Sequence, residues 1–80
     1  MNIERKITVY SSPSCMYCYT VKGYLEDNGF EYDEIDIYED SKAYDEMVEF
    51  SGQKNIPVTV IGEEIIVGWD KEKFKQVLGI

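Results

Sequence analysis

Two cysteines spaced three positions apart, Cys15 and Cys18, carry the most reactive side chains of this 80-residue sequence. They follow a polar stretch, residues 11–14, and stand at the start of a segment with helical periodicity. A cysteine pair at this spacing can bind a metal, form a structural disulfide or cycle between dithiol and disulfide. The rest of the sequence discriminates among these kinds of chemistry.

Metal binding and purely structural roles account poorly for the pair. A tetrahedral zinc site needs four ligands, normally cysteine or histidine, and this sequence has two cysteines and no histidine. Zinc would therefore need two subunits or carboxylate ligands in place of the missing ones, and an iron–sulfur cluster would need thiolates from two subunits. Two cysteines are also fewer than a secreted disulfide framework normally contains. A redox-active pair is the favoured interpretation, and a dimeric zinc or iron–sulfur binding module is the alternative of another class.

The two cysteines are expected to take different roles in disulfide exchange. Cys15 is predicted at a helix N-terminus, where free N–H groups and the positive end of the helix dipole stabilise a thiolate. Cys18 lies nearly one turn further along, on the same face but deeper. We therefore predict that Cys15 is the nucleophile and that Cys18 resolves the mixed disulfide. Pro13 shapes the approach to the helix, and Ser14 is a candidate N-cap.

The hydrophobic pattern predicts four strands and three helices. The strands are expected over residues 6–10, 30–37, 57–61 and 65–67, and the helices from residue 15 to a stop at 28–29, from about 40 to 50, and from about 70 onward. The order is β-α-β-α-β-β-α. It predicts two parallel strands joined by a right-handed crossover, an antiparallel hairpin in the same sheet, and helices on both faces.

Length and charge limit the possible classes of function. Eighty residues fit one domain, residues 1–80, and no apolar run approaches the roughly 20 residues of a membrane span. Residues 1–6 lack the apolar stretch of a secretory signal. The formal net charge of −8 repels nucleic acids. We expect a soluble, cytoplasmic monomer that binds neither nucleic acid nor membranes.

Three segments of the sequence resemble the signature segments of glutaredoxins. They are the cysteine motif at residues 15–18, the Asn-Ile-Pro segment at 55–57 and the Val-Gly-Trp-Asp segment at 67–70. The resemblance implies a thioredoxin-like, glutaredoxin-type α/β sandwich with a four-stranded mixed sheet and three helices. It also implies that the Ile56–Pro57 bond is cis and faces the cysteines. From the residues alone, an ordinary strand-initiating proline is an equal alternative.

The same resemblance implies a dithiol thiol–disulfide oxidoreductase with a glutathione-binding groove. Its substrates would be protein disulfides or glutathionylated thiols, and glutathione would be a co-substrate. No tightly bound cofactor and no metal are expected. The residues implied to line the groove are Tyr17, Lys54, Ile56, Pro57, Trp69 and Asp70.

Some residues depart from the glutaredoxin pattern. Ser12 stands where glutaredoxins often have a basic residue, and Val67 replaces the first glycine of a double-glycine turn. Met16 and Trp69 are instead similar to NrdH-type redoxins, which are reduced by thioredoxin reductase and deliver electrons to ribonucleotide reductase. The extended basic ending of that group is absent. The closest likeness is to short bacterial glutaredoxin-like proteins between the two groups, so glutathione and a thioredoxin reductase both remain candidate electron sources.

Two further features are expected to have ordinary structural roles. Lys22, one helical turn after Cys18, can favour a thiolate, but we expect a solvated lysine. Most of the tyrosines are expected to pack in the core and on the surface rather than form a ligand stack. They are Tyr10, Tyr19, Tyr24, Tyr32, Tyr38 and Tyr44.

Overall fold

The computed structural model describes residues 6–80, which form one sheet with helices on both faces. The strands are β1 (Ile7–Ser11), β2 (Asp33–Asp36), β3 (Val58–Ile61) and β4 (Glu64–Val67). The helices are α1 (Met16–Asp27), α2 (Ser41–Ser51) and α3 (Lys71–Leu78). The predicted order of elements is confirmed. The N-terminal segment expected to carry no secretory signal lies, apart from Lys6, outside the described residues.

The strands are arranged in the order β2-β1-β3-β4. β1 and β2 are parallel, whereas β3 is antiparallel to both β1 and β4. Tyr10 near the end of β1 pairs with Val58 at the start of β3, and Val58 pairs with Val67 at the end of β4. The loops formed by residues 12–15, 55–57 and 68–70 therefore leave the sheet at one end, which we call the loop end.

One face of the sheet is covered by α1 and α3. Val21 and Leu25 from α1 and Phe74 and Leu78 from α3 are buried in the same cluster as the inward-facing strand residues. Those strand residues are Ile7, Val9, Ile61 and Ile66. Fully burying an aliphatic or aromatic side chain contributes about 1.5–3 kcal/mol. This cluster therefore fixes the position of α1, and with it the cysteine motif at the start of α1.

The opposite face is covered by α2. Met47 is fully buried there against Val58 and Ile37, and Tyr10 and Tyr44 pack around them. Successive residues of a strand point to opposite faces of the sheet. This alternation explains why the even-numbered Tyr10 faces α2 while its odd-numbered neighbours face α1.

The second strand is shorter than the predicted segment at residues 30–37. The backbone N–H of Phe30 donates to the Leu25 carbonyl at 2.9 Å, so this residue still belongs to the end of α1. At the other end, the N–H groups of Glu39 and Asp40 donate to the Asp36 carbonyl at 3.2 Å. Local hydrogen bonds thus replace the predicted ladder at the start of the segment, whereas at its end the Ile37 N–H still donates to the Ser11 carbonyl at 3.0 Å and the turn follows.

Aspartates begin two of the helices. A carboxylate oxygen of Asp40 accepts the N–H of Ala43 at 3.1 Å, and Asp70 accepts the N–H of Lys73 at 3.1 Å. These side chains satisfy N–H groups that have no partner inside the helix.

None of the helices in residues 6–80 is long and apolar enough to span a membrane.

Removing the Asp40 cap should destabilise the fold. We expect Asp40→Ala to lower the free energy of unfolding by about 1 kcal/mol, because the Ala43 N–H loses its acceptor. Urea unfolding measures this change. Asp45→Ala removes an equal charge from an exposed position inside α2 and should change the free energy by less than about 0.5 kcal/mol. Equal effects of the two substitutions would contradict a capping role.

Candidate active site

The loop end of the sheet brings the three signature segments together. The pairing of Tyr10 with Val58 places the chain that leaves β1 beside the Ile56–Pro57 segment that enters β3. The Ile56–Pro57 bond is cis, as the resemblance to glutaredoxins implies. The N–H of Gly68 donates to the Pro57 carbonyl at 2.8 Å. Segments that lie 40 to 55 residues after Cys15 in the sequence therefore meet the cysteine motif at the loop end.

Cys15 and Cys18 are joined by a disulfide, with their Cα atoms 5.2 Å apart. Cys15 is partly exposed, whereas Cys18 is completely buried in the first turn of α1. The two sulfurs are thus unequal in access. A substrate can reach Cys15, while Cys18 lies behind it in the protein.

Cys15 itself caps helix α1. The backbone N–H of Cys18 donates to the Cys15 Sγ at 3.1 Å, and the extended backbone of Cys15 marks the last residue before the helix. The expectation that Ser14 caps the helix is wrong, because the N–H of Cys15 donates to the Ser12 carbonyl at 3.2 Å. This turn advances the chain so that residue 15 occupies the capping position. An N-terminal N–H of the helix therefore points at the more accessible of the two sulfurs, a position at which helix N–H groups stabilise a thiolate.

The residues implied to line a glutathione groove differ in how accessible they are. Tyr17 is 61% exposed and Lys54 is also exposed, whereas Ile56 is half-buried and Pro57 is buried. Lys54 and Ile56 lie on the wall of a groove of about 460 Å³. The other residues of that wall are Ile37, Tyr38, Ser41, Tyr44 and Asn55.

Trp69 and Asp70 have structural contacts at the same end of the sheet. The Trp69 ring packs on Tyr24 and Phe74, with ring centroids 5.2 and 5.7 Å away. The Asp70 carboxylate accepts the Lys73 N–H as the cap of α3. Trp69 is half-buried and Asp70 is exposed, so both residues keep surface that a ligand can contact.

The two departures from the glutaredoxin pattern differ in exposure. Ser12 is only 3% exposed and its carbonyl closes the turn to Cys15. Val67 is 44% exposed at the end of β4, and its side chain takes up space beside the loop at residues 68–70.

Lys22 is not the solvated lysine that we expect from the sequence. Its side chain is only 15% exposed, and its Nζ lies 2.7 Å from an Oε of Glu34 on β2. The same oxygen accepts a hydrogen bond from the Ser11 hydroxyl at 2.8 Å. The hydrogen bonds from Lys22 and Ser11 hold the pKa of the Glu34 carboxyl below its usual value. The alternation of Glu34 with Ile35 was the signal in the sequence that Glu34 faces α1.

No group of three or more histidine, cysteine, aspartate or glutamate side chains within residues 6–80 is arranged to hold a metal ion.

Disulfide exchange needs one sulfur that a substrate can reach and a second sulfur held behind it. The start of α1 supplies both. The fold is thioredoxin-like, and the chain is a thiol–disulfide oxidoreductase.

Comparison with known proteins gives the family. A family model described as Glutaredoxin matches residues 7–66, and the chain belongs to the glutaredoxin family. It is 32% identical, over 90% of its length and 96% of the relative, to an uncharacterized glutaredoxin-like 8.6 kDa protein in a rubredoxin operon of Clostridium pasteurianum.

Two solved structures illustrate the similarity of the fold. A T8A mutant of the thioredoxin-like protein BC3987 has a TM-score of 0.87 at 35% identity, over 94% of this chain and 96% of that protein. Buckwheat glutaredoxin, solved as a complex with glutathione, has a TM-score of 0.75 at 26% identity, over 96% of this chain and 73% of that protein.

The contacts of Glu34 predict a stability that depends on pH. Because folding lowers the pKa of Glu34, its stabilising effect is complete above the unfolded value of about 4.3 and is lost as pH falls through the lower folded value. The stability advantage of the wild type over Glu34→Gln should be constant near neutral pH and should shrink below about pH 4.3. Urea unfolding at a series of pH values measures it.

Glu49→Gln is the matched control, since it removes one charge from the acidic chain at an exposed position on α2. The difference between Glu34→Gln and Glu49→Gln then isolates the contacts of Glu34. A stability advantage of the wild type over Glu34→Gln that persists unchanged at about pH 3, well below the pKa of unfolded glutamate, would contradict the role given to the Glu34 contacts.

Proposed function

We propose that this protein reduces protein disulfides or glutathionylated thiols, with Cys15 as the nucleophile and Cys18 as the resolving thiol. The observation that carries the proposal is the asymmetry of the pair. Cys15 is partly exposed and receives a helix N–H on its sulfur, whereas Cys18 is completely buried.

The reaction consists of two exchanges. The Cys15 thiolate attacks one sulfur of the substrate disulfide, forms a mixed disulfide and releases the first substrate thiolate. Cys18 then loses its proton and attacks the Cys15 sulfur, which releases the second thiolate. The substrate gains two electrons and two protons in all, and the protein is left with the Cys15–Cys18 disulfide.

Glutathione is the proposed source of the electrons that restore the dithiol. Two glutathione molecules would reduce the disulfide and leave as glutathione disulfide. Lys54 and Ile56 on the groove wall, with Tyr17, Pro57, Trp69 and Asp70 around the loop end, are the proposed contacts. The likeness to a buckwheat glutaredoxin solved with glutathione supports this proposal. The buried Ser12 supplies no charge to the tripeptide, so we expect weak binding.

A thioredoxin reductase is the alternative electron source. Met16 is 80% exposed beside Cys15, and an exposed apolar side chain next to the reactive sulfur suits contact with a protein partner.

A binding module that shares zinc or an iron–sulfur cluster between two subunits fits less well. Such a module needs both sulfurs at a subunit surface, and Cys18 is completely buried.

Single substitutions separate the two cysteine roles. Cys15→Ser should abolish reduction of a protein disulfide, because the accessible sulfur is lost. Cys18→Ser should still attack but should stop at the mixed disulfide, which mass spectrometry detects as a covalent adduct on Cys15. Insulin with its disulfides intact can serve as the protein substrate. Turnover of that substrate by Cys15→Ser would overturn the assignment.

Substitution of Lys54 tests the electron source. Lys54→Gln should raise the KM for glutathione several-fold, because one exposed charge contact contributes up to about 1 kcal/mol. Recharging by thioredoxin reductase and NADPH should be unchanged. Lys75→Gln removes an equal charge from the exposed last turn of α3 and should alter neither rate. If reductase recharges the wild type and glutathione does not, the reductase replaces glutathione in the proposal.

A further inference from the structure

A chain of side-chain contacts runs from β2 to the loop that delivers Cys15, which we call the cysteine loop (residues 12–15). This series of contacts begins at Glu34 on β2, whose carboxylate contacts both Ser11 and Lys22. Ser11 is the last residue of β1 and is completely buried. The Glu34 carboxylate therefore holds the residue at which the chain enters the cysteine loop.

The second half of this chain of contacts passes through α1. The ammonium of Lys22 lies 4.5 Å from the centre of the Tyr19 ring, on the same helix. The Tyr19 hydroxyl donates to the carbonyl of Pro13 at 2.9 Å. Because Pro13 lies in the cysteine loop, α1 holds this loop in its middle while Glu34 holds its entrance.

The Lys22–Glu34 pair differs from the other ion pair within residues 6–80. Lys6, which precedes β1, pairs with Asp33 on β2, but their side chains are 79% and 62% exposed and 3.3 Å apart. The Lys22 and Glu34 side chains are 15% and 44% exposed and 2.7 Å apart, and Glu34 also accepts a hydrogen bond from Ser11. Exposed pairs usually contribute little because water and salt screen them. The Lys22 pair is the one placed to hold a loop in position.

We propose that Lys22 is a positioning residue for disulfide exchange: with Glu34 and Tyr19 it holds the cysteine loop so that the Cys15 sulfur stays at the N-terminus of α1 within reach of Cys18. The inference rests on the proposed function. Lys22 touches neither sulfur in this role. Its effect passes through Ser11 at the entrance of the loop and through Pro13 within it.

Holding the loop should favour closure of the disulfide. The closure reaction with glutathione disulfide converts the dithiol and one glutathione disulfide into the Cys15–Cys18 disulfide and two glutathione molecules. Its equilibrium constant has the units of concentration and measures how well the fold presents one sulfur to the other. At a pH where both thiols are protonated, so that the helix N–H stabilises no thiolate, a loop free to move away from α1 presents Cys15 to Cys18 less often and the constant falls.

Three variants test the inference with one measurement. Lys22→Met keeps the stem of the side chain and loses the charge, Glu34→Met loses both contacts of the carboxylate, and Tyr19→Phe keeps the ring and loses the bond to Pro13. At a pH below the alkylation midpoint of every variant, each should lower the closure constant, by about fivefold for Lys22→Met. Each should also raise the pH midpoint for alkylation of reduced Cys15, because the sulfur spends less time at the helix N–H. Lys22→Arg should restore most of the wild-type constant.

Lys6→Met is the matched control, since it removes the exposed ion pair to Asp33 on β2, the strand that also carries Glu34, and should leave the closure constant unchanged. Far-UV circular dichroism gives the unfolding midpoint of each variant. The closure constants are measured well below that temperature, so that only folded variants are compared. If Lys22→Met does not fold, Tyr19→Phe and Lys22→Arg still decide the question.

Two outcomes would overturn the inference. Unchanged closure constants in all three variants would show that the loop needs no such support. Opposite shifts of the alkylation midpoint for Lys22→Met and Glu34→Met would show that the pair acts on Cys15 through its charges, since loss of support must raise the midpoint in both variants. Failure of the proposed function is separately visible, because the wild type itself would then not reduce a protein disulfide.

Discussion

The first N–H groups of α1 need an acceptor, and the sulfur of Cys15 is the acceptor that the chain supplies. This one hydrogen bond fixes the reactive residue at the capping position and leaves Cys18 inside the first turn. The arrangement depends on the turn closed between Cys15 and Ser12. It also depends on the buried contacts that seat α1 on the sheet. The helix, the turn and the core thus together determine the position of the Cys15 sulfur.

Much of the fold follows from periodicity in the sequence. The alternation in β1 and β3 and the 3.6-residue repeat in the helices predict the order of elements, because burial of one face dominates these segments. The cysteine pair was also predictable, since its spacing alone places Cys18 nearly one turn inside the helix. The cis bond before Pro57 was not predictable from the residues themselves, and the expectation came from the resemblance to glutaredoxins.

Other features depend on contacts between distant segments, which a pattern along the chain does not contain. Lys22 resembles a surface residue until β2 brings Glu34 beside it. Ser14 is a better capping residue by type than Cys15, but the turn from Ser12 decides which residue reaches the position. The start of β2 is displaced because Phe30 remains bonded to the end of α1.

The hydrogen bond to the Cys15 sulfur also ties the fold to the oxidation state of the cysteines. An N–H donor interacts more strongly with a thiolate than with a neutral disulfide sulfur. In the thermodynamic cycle of folding and reduction, the extra free energy that this bond gives the folded reduced protein, with Cys15 as a thiolate, must equal its contribution to making the folded disulfide easier to reduce. One contact at the start of α1 therefore makes the protein a stronger oxidant and its reduced form a more stable fold, by the same amount.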